Sequence, residues 1–179
     1  VIRNDTNLGF AGGNNVGIKA AKGRYVALFN QDAIADRNWL RELVNVMEKD
    51  DSVGAVGGKI YYYKSNDVYF GGGKIYYGGF CWVWALNDKE GECDYVSGCA
   101  MLIRKKVLDE VGLFDEDFFM YYEEADLCTR IRKAGYKIYY TPKAIVWHNV
   151  PKKSRRPSRI ITYYMSCLLY TSPSPRDRG

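Results

Sequence analysis

Short unbroken apolar runs alternate along the chain with stretches of helical spacing. RYVALFN (24–30) follows a glycine and stops at the polar group Asn30, Gln31, Asp32, the pattern of a buried parallel strand with polar side chains at its end. Asp36 is placed to cap a helix in which Trp39, Leu40, Leu43, Val44 and Met47 recur at intervals of three and four. VGAVGGKI (53–60) predicts a second buried strand. Between 67 and 85 glycines and aromatics predominate, which predicts short antiparallel strands and loops. CAMLI (99–103) predicts another strand, followed by a helix around 105–111 that Gly112 ends. Leu127, Ile131 and Ala134 share one face of a helix expected over 123–134, with Gly135 as its stop. KIYYT and AIVWH are expected as two strands split by Pro142. This alternation of strands and helices places the chain in the α/β class.

Composition narrows the picture. At 179 residues, 47% hydrophobic and 15% aromatic, the chain suits one globular domain with a real core. It opens on Val1 with a strand-like start and no charged leader, which reads as a fragment lacking its N-terminus. No apolar run approaches the roughly 20 residues of a membrane span, so a soluble or peripheral protein is expected. The formal charge of +5 is unevenly spread. Seven Lys and Arg against Asp177 give residues 152–179 a net +6, leaving 1–151 at −1. A basic tail outside a near-neutral core reads as a solvated segment, not as a nucleic-acid reader, although anionic lipid would attract it. The five cysteines, odd in number and without a CxxC pair, read as reduced thiols of a cytosolic protein.

The chemistry concentrates at predicted element ends. Glu123, Glu124 and Asp126 crowd the start of the last helix, where free backbone N–H groups and the helix dipole favour negative charge. Asp126 and Arg130, four apart, are spaced to pair on its surface. These facts alone permit a purely structural reading. Asn30 and Asp32 at one strand end and His148, the only histidine, at another also fall where loops of a parallel sheet converge. Two such ligands plus a diphosphate would complete a divalent-metal site. In GFAGGNN the glycines Gly12 and Gly13 ahead of a helix beginning near Asn15 suit either a loop approaching phosphates or a tight turn. Phe118, Phe119, Tyr121 and Tyr122 read as core packing before ligand stacking. Trp82 and Trp84, with Gly-rich flanks, are expected on an exposed loop.

The ordered string NLGFAGGNNVGI, GRYVALFNQDA, VGAVGGKI and DYVSGCAMLIRKKVLDEVGLFDEDFFMYYEEADLCTRIRKAGYKIYYTPKAIVWH resembles the family 2 glycosyltransferases of the GT-A fold, especially their rhamnosyltransferase-like branch, over residues 1–148. The resemblance implies a GT-A-like, mostly parallel sheet flanked by helices and incomplete at its N-terminus. It implies sugar transfer from a nucleotide-diphosphate donor to an acceptor hydroxyl, with inversion and with Mg2+ or Mn2+. Asn30 and Asp32 match the metal and diphosphate motif, here N-Q-D, and Gly12 and Asn15 join them on the donor side. Glu123 and Glu124 match the acidic pair whose second member is the general base. Glu124 is one methylene longer than the Asp expected there, an offset of about 1 Å. Asp126, Leu127 and Arg130 match the rest of that motif, Gly98 falls on the acceptor side with Trp82 and Trp84, and His148 matches a metal-ligating histidine.

The implied division is a transferase domain over 1–151, a basic and aromatic segment over 152–166 suited to a membrane surface near a lipid-linked acceptor, and a tail over 167–179. CLLYTSPSPRD in that tail looks like translated sequencing adapter of the kind seen in metagenomic reading frames. The expected partners are a sugar nucleotide and a glycan or lipid-linked glycan in surface polysaccharide synthesis, at the cytoplasmic side of a membrane. Three rival readings stand beside this one. They are a GT-A-like nucleotidyltransferase, a non-catalytic carbohydrate-binding module, and a calcium module built on the acids of 115–126, whose loop spacing does not match.

Overall fold

The computed structural model describes residues 1–76, 81–83 and 88–151. In chain order these form α1 (Gly9–Ala20), β1 (Tyr25–Phe29), β2 (Ala33–Ala35), α2 (Trp39–Lys49), β3 (Val53–Tyr62), β4 (Val68–Phe70), β5 (Gly73–Ile75), β6 (Cys81–Val83), β7 (Gly91–Cys93), β8 (Ala100–Arg104), α3 (Lys105–Val111), α4 (Glu123–Lys133) and β9 (Lys137–His148). The segments 152–166 and 167–179 of the sequence reading lie outside the described residues.

The sheet is mixed and runs β1-β8-β3-β9-β2. Its spine is the long parallel ladder of β3 with β9. β8 lies antiparallel to both β1 and β3, so β1, β3 and β9 share one direction and only β8 opposes them among the longer strands. The free edge of each spine strand is shared by two partners. β8 and then β4 line β3, while β7 and then β2 line β9, all antiparallel. A separate antiparallel hairpin joins β5 to β6.

Three local expectations change in three dimensions. β1 is an edge strand with alternating exposure, Val26 and Leu28 inward and Ala27 and Phe29 outward, and not a strand with parallel partners on both sides. An apolar run does not by itself reveal which face is covered. β9 is one strand instead of two. Pro142 falls where the register on β3 jumps from Thr141 opposite Gly58 to Ile145 opposite Lys59, so a bulge absorbs the missing N–H and the ladder resumes. Gly58 permits this close approach, since a Cβ there would stand 2.1 Å from the Ala144 carbonyl oxygen. The third change is at the front of the chain, where GFAGGNN lies inside α1 and not before it. Glycine is a poor helix former, but here the helix is held from outside. Phe10 N–H donates to the Phe119 carbonyl at 2.8 Å, and Phe10 meets Phe114 edge-on.

The remaining elements stand as their periodicity predicts. α2 buries Trp39, Leu43 and Met47, and Asp36 accepts from the Asn38 N–H at 2.8 Å in the turn before it. Buried Arg104, at the end of β8, donates to the Met47, Asp50 and Val53 carbonyls, satisfying the C-terminal end of α2 and tying it to β3. Gly112 and Gly135 end α3 and α4 at φ 85° and 90°, backbone conformations that glycine adopts without strain.

Candidate active site

The sheet brings the C-terminal ends of β1 and β9 together through β2. Asn30 accepts from Ala33 N–H in a tight turn and donates its own N–H to the Cys99 carbonyl at 2.8 Å. This turn swings the chain into β2, whose Ala33 faces His148 in register. Asp32, on the turn, accepts the Asn149 N–H at its carbonyl, and its Oδ1 lies 3.1 Å from His148 Nε2. The two residues are 116 positions apart in sequence. His148 is buried, whereas the Asp32 side chain is about half exposed and reachable from solvent.

No cluster of three His, Cys, Asp or Glu side chains forms among the described residues, so Asp32 and His148 offer two ligands to a cation and the rest must come from elsewhere. Their donor chemistry fits Mg2+ or Mn2+, one carboxylate and one imidazole. Their spacing fits too: adjacent corners of an octahedron with bonds of about 2.1 Å lie about 3.0 Å apart. The contact in its own right is a hydrogen bond with the proton on Nε2. As a ligand pair it requires Nε2 free and the proton on Nδ1, an atom that is buried and has no partner among the described residues.

Beyond this pair the carboxylates open α4. Tyr121 and Tyr122 immediately before them adopt left-handed φ values of 74° and 68°, which are costly for bulky residues and steer the chain into the helix with its acids facing inward. Glu123 is 5% exposed, and Oε2 of both Glu123 and Glu124 is buried without a hydrogen-bond partner among the described residues. No Lys or Arg neutralises either one in an ion pair among those residues. Burial first, and then the Glu124 charge beside it, push the Glu123 carboxyl from its ordinary 4.5 up to about 8. Burial raises Glu124 in the same direction.

The two acids face different company. Glu124 acts electrostatically on Tyr69, Cys81, Tyr95, Tyr122 and Cys128, and Gly98 stands close enough that a Cβ there would lie 3.7 Å from Glu124 Cβ. Glu123 acts on Tyr121. Tyr69 closes the gap to the other pair, since its ring meets His148 edge-on with centroids 5.4 Å apart. Cys99, which feels the charge of Asp32, also acts on Tyr69. Asp32, His148 and Tyr69 are therefore neighbours, and the Glu124 charge acts on Tyr69. Tyr69 was not legible as a site residue, because only the pairing of β4 with β3 brings it beside the strand ends.

Other sequence candidates are occupied elsewhere. The Asn15 amide donates to the Phe114 carbonyl and Glu116 Oε1, and its oxygen accepts the Phe114 N–H, so all three contacts clamp α1 to the segment before α4. Gly12 lies under the same clamp, where a Cβ would crowd Leu8 at 2.9 Å. In this structure both pack α1 against that segment. Asp126 is paired with Arg130, whose guanidinium also donates to the Val111 and Leu113 carbonyls, so this acid fastens α4 to the end of α3. Trp82 is exposed opposite Lys74 on the β5–β6 hairpin, while its neighbour Cys81 is the one near Glu124. Successive strand residues point to opposite faces, so Trp82 faces away from the acids. Trp84 lies outside the described residues.

The buried acids carry a stability cost with a definite sign. Between about 4.5 and about 8 folded Glu123 keeps a proton that the unfolded chain has released, so stability is greatest below this window and declines as pH rises through it. Glu123→Gln should therefore melt several degrees higher than the parent near pH 7.5, a gain of about 1–3 kcal/mol, and match it near pH 4.5. Parallel melting curves across this range, read by circular dichroism, would rule out the buried-acid account.

Comparisons with known proteins agree on fold and family. Among solved structures, GalNAc-T7 with UDP, GalNAc and Mn2+ aligns at a TM-score of 0.70 and 16% identity, covering 84% of this chain and 32% of that one. The mannosyltransferase PcManGT of Pyrobaculum calidifontis, in complex with GDP-Man and Mn2+, aligns at 0.59 and 18% identity, covering 85% and 39%. At such identities the likeness is one of fold, the GT-A arrangement. Among curated proteins, an N-acetylglucosaminyl-diphospho-decaprenol L-rhamnosyltransferase of Mycobacterium tuberculosis is 41% identical over 64 residues, covering 36% of this chain. A low-salt glycan biosynthesis hexosyltransferase of Haloferax volcanii is 27% identical over 160 residues, covering 84%. An uncharacterized protein of Sinorhizobium fredii is 25% identical over 185 residues, covering 91%. The chain spans 21%, 52% and 20% of the length of these three relatives. The family model described as "Glycosyltransferase like family 2" matches residues 1–160, and the chain belongs to that family.

Proposed function

We propose that this domain transfers a sugar from a nucleotide-diphosphate donor to an acceptor hydroxyl with inversion. The observation that carries the reading is the pair of acids at the start of α4, each with a buried Oε2 that has no partner among the described residues, in a fold that also sets Asp32 against His148. Asp32 and His148 would hold a divalent cation, which when bound supplies positive charge beside the leaving diphosphate. Glu124 takes the acceptor proton as the new C–O bond forms and the anomeric C–O bond to the diphosphate breaks. The nucleoside diphosphate departs with the bonding electron pair, and attack from the opposite side inverts the anomeric centre. Glu123, turned toward Tyr121, keeps its proton at neutral pH and so avoids a second negative charge next to the base.

The setting follows from the relatives and from the thiols. The rhamnosyltransferase relative is named for a diphospho-decaprenol acceptor, which supports a lipid-linked glycan as acceptor and a deoxyhexose as donor sugar. Staphylococcal poly-beta-1,6-N-acetyl-D-glucosamine synthases, 27–28% identical over about 150 residues, support a role in surface polysaccharide synthesis. Cys93, Cys99 and Cys128 are free thiols, consistent with work on the cytoplasmic side. No helix among the described residues is long and apolar enough to cross a membrane.

The test is a donor panel. A protein carrying this domain, incubated with Mn2+ and UDP-, GDP- and dTDP-sugars plus a prenyl-diphosphate-linked glycan, should release one nucleoside diphosphate and extend the glycan. NMR of the product should show the anomeric configuration opposite to that of the donor. A product of unchanged configuration would remove the single-displacement mechanism, and no extension with any donor would remove the reading.

A further inference from the structure

The chemistry fixes where the transferred sugar lies if the glycosyl-transfer reading holds. Its anomeric carbon sits between the departing diphosphate and the attacking acceptor oxygen, so its ring must span from Asp32 and His148 to Glu124. Among the described residues, Tyr69 is an exposed ring that meets the His148 end of that span. It is the central residue of β4, and it is 36% exposed although its neighbour Phe70 is only 4% exposed. Two edge-on contacts set its orientation, His148 at 5.4 Å and Tyr62 at 5.3 Å. The Glu124 charge also acts on it.

A fixed aromatic ring with a free hydroxyl can recognise a saccharide in two ways. Its face covers the apolar C–H side of a pyranose, and its hydroxyl bonds one ring substituent. The Tyr69 hydroxyl has no hydrogen-bond partner among the described residues. A phenol is protonated at neutral pH and so able to donate. We infer that Tyr69 contacts the transferred sugar and determines which sugar the site accepts. The remaining lining groups serve other ends: Asp32 and His148 meet the diphosphate, and Glu124 meets the acceptor.

Tyr69→Phe isolates the hydroxyl, because the ring contacts with His148 and Tyr62 survive. Calorimetry in Mn2+ would compare each sugar nucleotide of the UDP, GDP and dTDP series with its bare nucleoside diphosphate. The variant should lose about tenfold of the preference for the sugar nucleotide while bare diphosphate affinity stays within twofold. Its kcat/KM ratio between two sugars differing at one hydroxyl should also shrink. A parallel fall in both affinities would mean that Tyr69 merely holds His148, and unchanged affinities and ratios would mean that it touches no sugar; either result overturns the assignment. A parent protein that binds none of these compounds overturns the glycosyl-transfer reading itself, and the Tyr69 assignment with it.

Discussion

Glu124→Gln is expected to reduce turnover by roughly 10²- to 10⁴-fold in a protein carrying this domain, with fold and donor affinity retained. The size follows from losing a positioned proton acceptor while keeping its shape. The choice of Glu124 over Glu123 rests on direction. Adjacent helical side chains diverge by about 100°, and here one acid acts on Tyr69, Cys81 and Tyr95 while the other acts on Tyr121. Because burial raises the Glu124 carboxyl, the ionised base becomes more abundant as pH rises. Parent kcat/KM should therefore climb as pH rises, and in the Gln variant this limb should flatten. Glu123→Gln, by contrast, should leave turnover within about tenfold of the parent. Near-full turnover in Glu124→Gln combined with a dead Glu123→Gln would move the base one residue back. If both variants stay active, the acids are only a helix start.

Asp32→Asn should remove the metal-dependent part of nucleotide-diphosphate binding, a loss on the order of 100-fold when Kd is compared with and without Mn2+. The carboxylate is the charged member of the pair, it is accessible, and its Oδ1 lies at ligand-to-ligand distance from His148 Nε2. An amide keeps the shape and removes the charge. His148→Ala should lower the same affinity, by a smaller factor, since a neutral imidazole contributes less to a hard cation than a carboxylate does. Binding that is equally strong with and without Mn2+ in the parent would show that the diphosphate is held by the backbone alone. Asp126→Asn serves as the contrast: the loss of the Arg130 contact should lower the melting temperature and leave Mn2+ binding untouched.

The readings that survived contact with the structure depend on near neighbours in sequence. α2 and α3 begin and end within a few residues of their expected bounds, because their apolar spacing, the Asp36 turn and Gly112 act within a turn of helix. The acids fall in the first turn of α4 for the same reason. What the sequence left open depends on contacts the chain cannot show locally. The Asn15 amide is used up by residues 99 and 101 positions away. Pro142 suggested two strands, and only the continuous ladder on β3 shows that a bulge carries β9 past it.

The amino-acid sequence thus determined the α/β class, the helix starts and stops, and the residue types offered at each strand end, since these follow from periodicity and short-range hydrogen bonding. Tertiary structure alone decided which of those residues meet. It set Asp32 against His148 through the register of β2 on β9, carried Tyr69 to their side through β4 on β3, and turned Trp82 away through the face of a hairpin. Strand register is the physical reason. A shift of one residue reverses every side chain, and what holds the register is burial summed across strands distant in sequence, which no local window contains.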